Sequence, residues 1–116
     1  MYKNLRLVYI TTKDVTQAKE LGKQILEQRL AACINILPGM ESMYWWEGQL
    51  ETSTEAVLIL KTHVSNVEAI TKWVNTHHTY DCPCVISLPL SEGEGNPEYL
   101  EWLMNESKVK RPKRYE

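Results

Sequence analysis

Residues 77–84 read His-His-Thr-Tyr-Asp-Cys-Pro-Cys and concentrate metal-ligating side chains in one short stretch. Imidazole nitrogens and thiolate sulfurs together suit copper or zinc. Cys82 and Cys84 share a face if both lie in extended chain. Adjacent histidines diverge by about 100° on a helix and converge only at a frayed helix end. The H-H-x3-C-x-C spacing matches no standard zinc site. Two readings therefore stand together. In one, metal is bound, either by all of His77, His78, Cys82 and Cys84 in a single intrachain site or by one or both histidines in a surface site shared across an oligomer interface. In the other, His78 ends a helix and a cysteine is a small core residue.

Other candidates are single residues. Lys61 lies near the end of an apolar run and Glu55 near its start, and a lysine there is ordinarily solvated. Trp45 and Trp46 face opposite sides of a strand, so one is expected to pack inward and the other to anchor an interface. Cys33 lies in an apolar context and is expected to be buried. The chain has no GxGxxG, GxxxxGK or GxSxG motif. No nucleophile, base and electrophile stabiliser assemble from named residues, so an enzyme is not expected.

The elements that would position these residues centre on a long β-hairpin over residues 29–62. Its limbs are residues 33–46 and 50–61, joined at Glu47-Gly48. Pro38-Gly39 predicts a bulge in the first limb. A hairpin of this length overhangs its sheet, and its Tyr-Trp-Trp tip needs cover, most naturally another chain. Before it come a strand at residues 5–12 and a helix at 14–30, opened by an Asp14 cap. After it come a helix from Ser65, as N-cap, to residues 75–78, and a strand at residues 85–90. A short helix follows from Asn96-Pro97. Residues 1–107 read as one domain, and 108–116 as a basic C-terminal tail. The order β-α-β-β-α-β plus a helix is an α+β, ferredoxin-like arrangement. Right-handed crossovers place both long helices on one face of an antiparallel sheet. The other face needs the extra helix, a partner, or both.

With 116 residues and 43% hydrophobic content, the chain suits a single globular domain. A net charge of −2 gives no basic field for nucleic acid, so no nucleic-acid partner is expected. No apolar run approaches the ~20 residues of a membrane span, so no membrane partner is expected either. The N-terminus lacks a signal-peptide pattern, and the odd count of 3 cysteines suits reduced thiols, so a cytoplasmic location is expected.

Several motifs together carry a family resemblance over almost the whole length. They are RLAAC at 29–33, S-x-Y-x-W-x-G at 42–48, E-x5-KT at 55–62, H-x-Y at 78–80 with Pro83 beyond it, and Y-L-x-W at 99–102. The chain resembles the CutA family, the divalent-cation tolerance proteins. The resemblance implies a ferredoxin-like chain in a tight homotrimer, similar in architecture to PII signalling proteins. It also implies tolerance to copper or another divalent metal ion, with none required for folding. The family's implicated ligands fall on His77, His78 and, for a cysteine near the end of strand one, on Ile10, which has no donor atom. The family's usual Pro-Glu reads Pro83-Cys84 here. A cleft between subunits lined by Trp46, Glu55, Lys61, His78 and Tyr80 is the candidate ligand site.

The expected activity is divalent metal binding. The alternative is a PII-like regulatory trimer that takes a small anionic ligand, with Lys61 supplying charge. A third reading is a structural trimer that docks other proteins.

Overall fold

The computed structural model describes residues 2–108; the expected tail from residue 109 onward lies outside them. The elements are β1 (Leu5–Thr12), α1 (Val15–Glu27), β2 (Cys33–Trp46), β3 (Gln49–His63), α2 (Val67–His77), β4 (Val85–Pro89) and α3 (Pro97–Glu106). They form a mixed α+β fold around one four-stranded antiparallel sheet in the order β2-β3-β1-β4.

Strand alternation divides the sheet into two faces. Val8 and Ile10 of β1 pair with Leu60 and Leu58 of β3. With Ala56 they pack against Ala18, Leu21 and Ile25 of α1 and Ile70 and Val74 of α2. This is the main core. Gly22 of α1 explains the close approach of helix and sheet. A Cβ there would lie 2.5 Å from Ile34 Cδ1 and 3.1 Å from Leu58 Cδ1. Leu5 has the opposite parity and packs with Leu100, Leu103 and Met104 of α3. That helix covers only one end of the second face. Leu37, Ile86 and Leu88, on the same parity as Leu5, stay about half exposed.

The hairpin expectation holds with small changes. β3 runs from Gln49 to His63, beyond the expected 50–61 at both ends. Glu47 and Gly48 both adopt positive φ, 49° and 78°, which makes the type I′ turn that follows strand twist. The pairing register shifts between Leu37 and Met40, where Gly39 has φ 70°. β1 stops pairing with β3 at Ala56, so, among the described residues, 49–55 pair only with β2. The two-stranded arm projects beyond the sheet and gives extents of 50 × 33 × 22 Å.

Several local expectations are corrected. α1 ends at Glu27, not residue 30, because Arg29 adopts φ 61°. Its N–H donates to Leu26 O, and Leu30 N–H donates to Ile25 O, closing a Schellman-type end without glycine. Ser65 does not cap α2. His63 Nδ1 accepts the Ser65 N–H at 3.0 Å and opens a 3-10 turn, after which α2 starts at Val67. Neither Trp45 nor Trp46 packs inward; they are 74% and 45% exposed because, among the described residues, the arm has no third strand beneath it. Cys33 is half-buried rather than buried, since β2 is an edge strand.

Candidate functional site

The segment after α2 joins that helix to β4 and meets the base of the hairpin arm. His78 ends α2, with its N–H donating to Val74 O and its backbone already extended at ψ 149°. Its side chain is buried. Nδ1 accepts the Tyr80 N–H at 3.0 Å, so Nδ1 carries the lone pair. Nε2 therefore carries the proton and donates to Thr11 O at 2.8 Å. The imidazole thus ties the loop to the end of β1, and both nitrogens are occupied. Gln17, also buried, ties the same loop to α1: Nε2 donates to Thr79 Oγ1 and Oε1 accepts the Lys13 N–H.

Tyr80 packs on His78 with ring centroids 4.5 Å apart. Its hydroxyl donates to Glu55 Oε2 at 2.7 Å. Burial, followed by the hydrogen bond to the Glu55 carboxylate, raises the phenol well above its ordinary pKa, so the hydroxyl stays protonated. Glu55 is buried at the root of the arm. Burial also pushes the Cys84 thiol up, partly offset by its hydrogen bond with Thr11, while the charges of Glu55 and Cys82 add to the rise.

Two concavities meet here. One of about 300 Å³ is lined by Tyr44 and Trp46 of the arm and by residues 79–82. The other, about 460 Å³, is lined by Thr11, Glu41, Met43, Tyr44, Glu55, Tyr80, Cys82 and Cys84, with Ser42. Of the expected cleft residues, the structure brings together Trp46, Glu55, His78 and Tyr80 around this loop. Lys61 is not among them within one chain. It lies six residues along β3 from Glu55, about 20 Å at strand rise. There its Nζ donates to Tyr99 Oη at 3.1 Å and sits 5.3 Å from the ring centroid.

His77, His78 and Cys84 do not form a metal centre in one chain. His78 has no lone pair to give without breaking its hydrogen bond with the Tyr80 N–H. His77 points elsewhere: its Nδ1 donates to Trp73 O at 2.9 Å, its ring stacks on Trp73 at 3.6 Å, and it borders a separate concavity beside α1. Only its Nε2 remains to bind a cation. Among the described residues, no group of three or more His, Cys, Asp or Glu side chains is placed to hold a metal ion. Within one chain His77, His78 and Cys84 are therefore not brought together as one donor set, because Tyr80 N and Thr11 O engage both ring nitrogens of His78 and Trp73 holds the His77 ring.

Thr11, Gln17, Glu41, Met43 and Tyr44 were not expected at the site. Thr11 holds His78 through its backbone carbonyl, a contact that leaves no residue-type signal. Gln17 sits at the capping-box position after Asp14, and that spacing was its only mark. Glu41, Met43 and Tyr44 precede the turn on an arm whose curvature over the loop no local pattern encodes.

Known proteins share this architecture. The family model for CutA1 divalent ion tolerance protein matches residues 6–106. Among relatives, Protein CutA 1, chloroplastic, of Oryza sativa subsp. japonica is 46% identical over 88% of this chain and 56% of its own. The divalent-cation tolerance protein CutA of Yersinia pestis is 37% identical over 88% of this chain and 84% of its own. This chain spans little more than half the length of the rice and Arabidopsis thaliana relatives. Among solved structures, CutA1 from Oryza sativa superposes with a TM-score of 0.84 at 44% identity, covering 91% of this chain and 95% of that one. The divalent cation tolerance protein of Thermus thermophilus gives 0.84 at 36% identity, covering 90% and 99%. The matched span takes in the sheet, the arm and the loop that carries His78 and Tyr80, and the chain belongs to the CutA1 divalent ion tolerance family.

Proposed function

We propose that the chain works as a homotrimer in divalent-cation tolerance, as a binding protein rather than an enzyme. Metal ions are its ligands, taken at the junction of the arm and the 78–84 loop and not by a His77–His78 pair. The observation that carries the reading is this junction. Glu41, Glu55, Cys82 and Cys84 line one open concavity, and the arm that forms its wall exposes Met43, Trp45, Trp46 and Leu50. Exposed aromatic and aliphatic surface of that kind on a two-stranded arm calls for a covering chain. Three copies, each laying its arm on the next, cover it and complete the junction from both sides. The family resemblance supports the trimer and the metal role. The anionic-ligand reading draws less support, because Lys61 is engaged by Tyr99 at the far end of β3.

Two measurements test this. Sedimentation equilibrium gives the assembly state, and a species three times the chain mass of 13.5 kDa is expected. Calorimetric titration with Cu(II) and Zn(II) should give saturable binding that survives His78→Asn. A monomer at micromolar concentration, or binding lost only with the histidines, overturns the reading.

A further inference from the structure

Tyr44 and Trp46 stand two residues apart on β2 and share one face of the arm. They are 42% and 45% exposed, against 74% for Trp45 on the other face. The first two face the loop, and a concavity of about 300 Å³ opens between them and residues 79–82. Tyr80 forms its third aromatic wall and is held at three points. Its hydroxyl donates to Glu55, its ring packs on His78, and its N–H donates to His78 Nδ1. Donating a proton towards a carboxylate polarises the phenol and leaves its ring electron-rich. Glu55 is itself 8% exposed, and among the described residues no lysine, arginine or histidine pairs with its carboxylate. A buried carboxylate with no cation beside it is costly, and positive charge arriving nearby offsets that cost. Asp81 adds an exposed carboxylate to the concavity, and among the described residues it too has no hydrogen bond or ion pair.

The geometry points to a site for a small organic ammonium ion, quaternary or methylated, held between the Tyr44, Trp46 and Tyr80 rings with Asp81 at the rim. The inference goes beyond the metal-ion reading and does not depend on it. An alkylammonium ion carries its charge under a shell of methyl groups, so it is recognised by aromatic faces and needs no donor atoms. The concavity supplies three such faces, and its lining holds a carboxylate but no lysine, arginine or histidine. An anion would meet Asp81, with Glu55 behind Tyr80, and no compensating charge. The volume lies at the small end of ligand sites, which suits a free small ion. Trp45, on the opposite face of the strand, remains available to a neighbouring copy.

The test is a titration of the full chain, in its native assembly, with tetramethylammonium chloride at fixed ionic strength, followed by proton NMR of the methyl signal. Saturable binding with an upfield methyl shift is expected, because ring faces shield the protons above them. tert-Butyl alcohol, a neutral analogue of similar shape, should bind about tenfold more weakly. Trp46→Leu and Tyr44→Leu should each weaken tetramethylammonium binding about tenfold, through loss of one ring–cation contact. Asp81→Asn should weaken it severalfold, and less so at high salt. Trp102→Leu, which removes an exposed indole on α3, should bind like the parent. Trp46→Phe keeps an aromatic face and should retain most of the affinity, and the methyl shift is read on the unmutated chain, so the test stays decisive if Trp46→Leu disturbs the arm. An unshifted methyl signal at high concentration, equal binding of the alcohol, or parent affinity in Trp46→Leu overturns the site. Zn(II) titration of the same samples reports the metal reading separately. Zn(II) uptake without tetramethylammonium binding removes this site alone, and the reverse removes the metal reading alone.

Discussion

Replacing His78 separates a structural histidine from a ligand. His78→Ala removes the Nε2–H bond to Thr11 O and the acceptor of the Tyr80 N–H. Each net hydrogen bond contributes about 1 kcal/mol. The lost ring contact with Tyr80 adds roughly 1 kcal/mol. The expected cost is therefore about 3 kcal/mol, or a drop in Tm of roughly 12 °C for a domain near 100 residues. His78→Asn should do about half the damage, since an Asn side chain accepts the N–H two residues on as an Asx turn does. It cannot reach Thr11 O. Urea unfolding at a fixed chain concentration measures both, the concentration being held because assembly adds to apparent stability. Copper titration is run on the same samples. Affinity should stay within twofold of the parent wherever the fold is intact. A His78→Asn variant that unfolds like the parent yet loses tenfold in Cu(II) affinity would overturn the structural role. That result would mean the imidazole turns out of its two hydrogen bonds to bind metal.

Three further outcomes are expected. Tyr80 and Cys84 both have folded pKa values raised above their ordinary 10.0 and 9.0, so their contribution is complete below pH 9 and is lost as pH rises through the folded values. Stability measured by urea midpoint should fall more steeply above pH 9 in the parent than in Tyr80→Phe/Cys84→Ser, and equal slopes would contradict the burial of these groups. Gly22→Val should cost about 1–3 kcal/mol by overpacking against Ile34 and Leu58, visible as a lower thermal midpoint. Lys61→Ala breaks an exposed contact with Tyr99 and should lower stability by less than about 1 kcal/mol, with no change in metal affinity.

The framework of the fold is written in local sequence. Apolar alternation in residues 5–12 and 56–60 set β1 and the inner half of β3, because a one-residue slip would turn Val8, Ile10, Leu58 and Leu60 out of the core. Asp14 capping Gln17 N–H, Asn96 capping Glu98 N–H and the Glu47-Gly48 turn were legible because caps and turns are local chemistry. The site took shape only through contacts distant in sequence. The tautomer of His78 depends on Tyr80 and on a carbonyl 67 residues away. The separation of His77 from His78 depends on Trp73 stacking beneath one ring while the other turns into the sheet edge. Glu55 meets Tyr80 only because the bulged arm brings the root of β3 under the loop. Residue types announced that nitrogen, oxygen and sulfur donors were present. Which of them still have a lone pair to offer follows from long-range hydrogen bonds, and those form only once the sheet has closed.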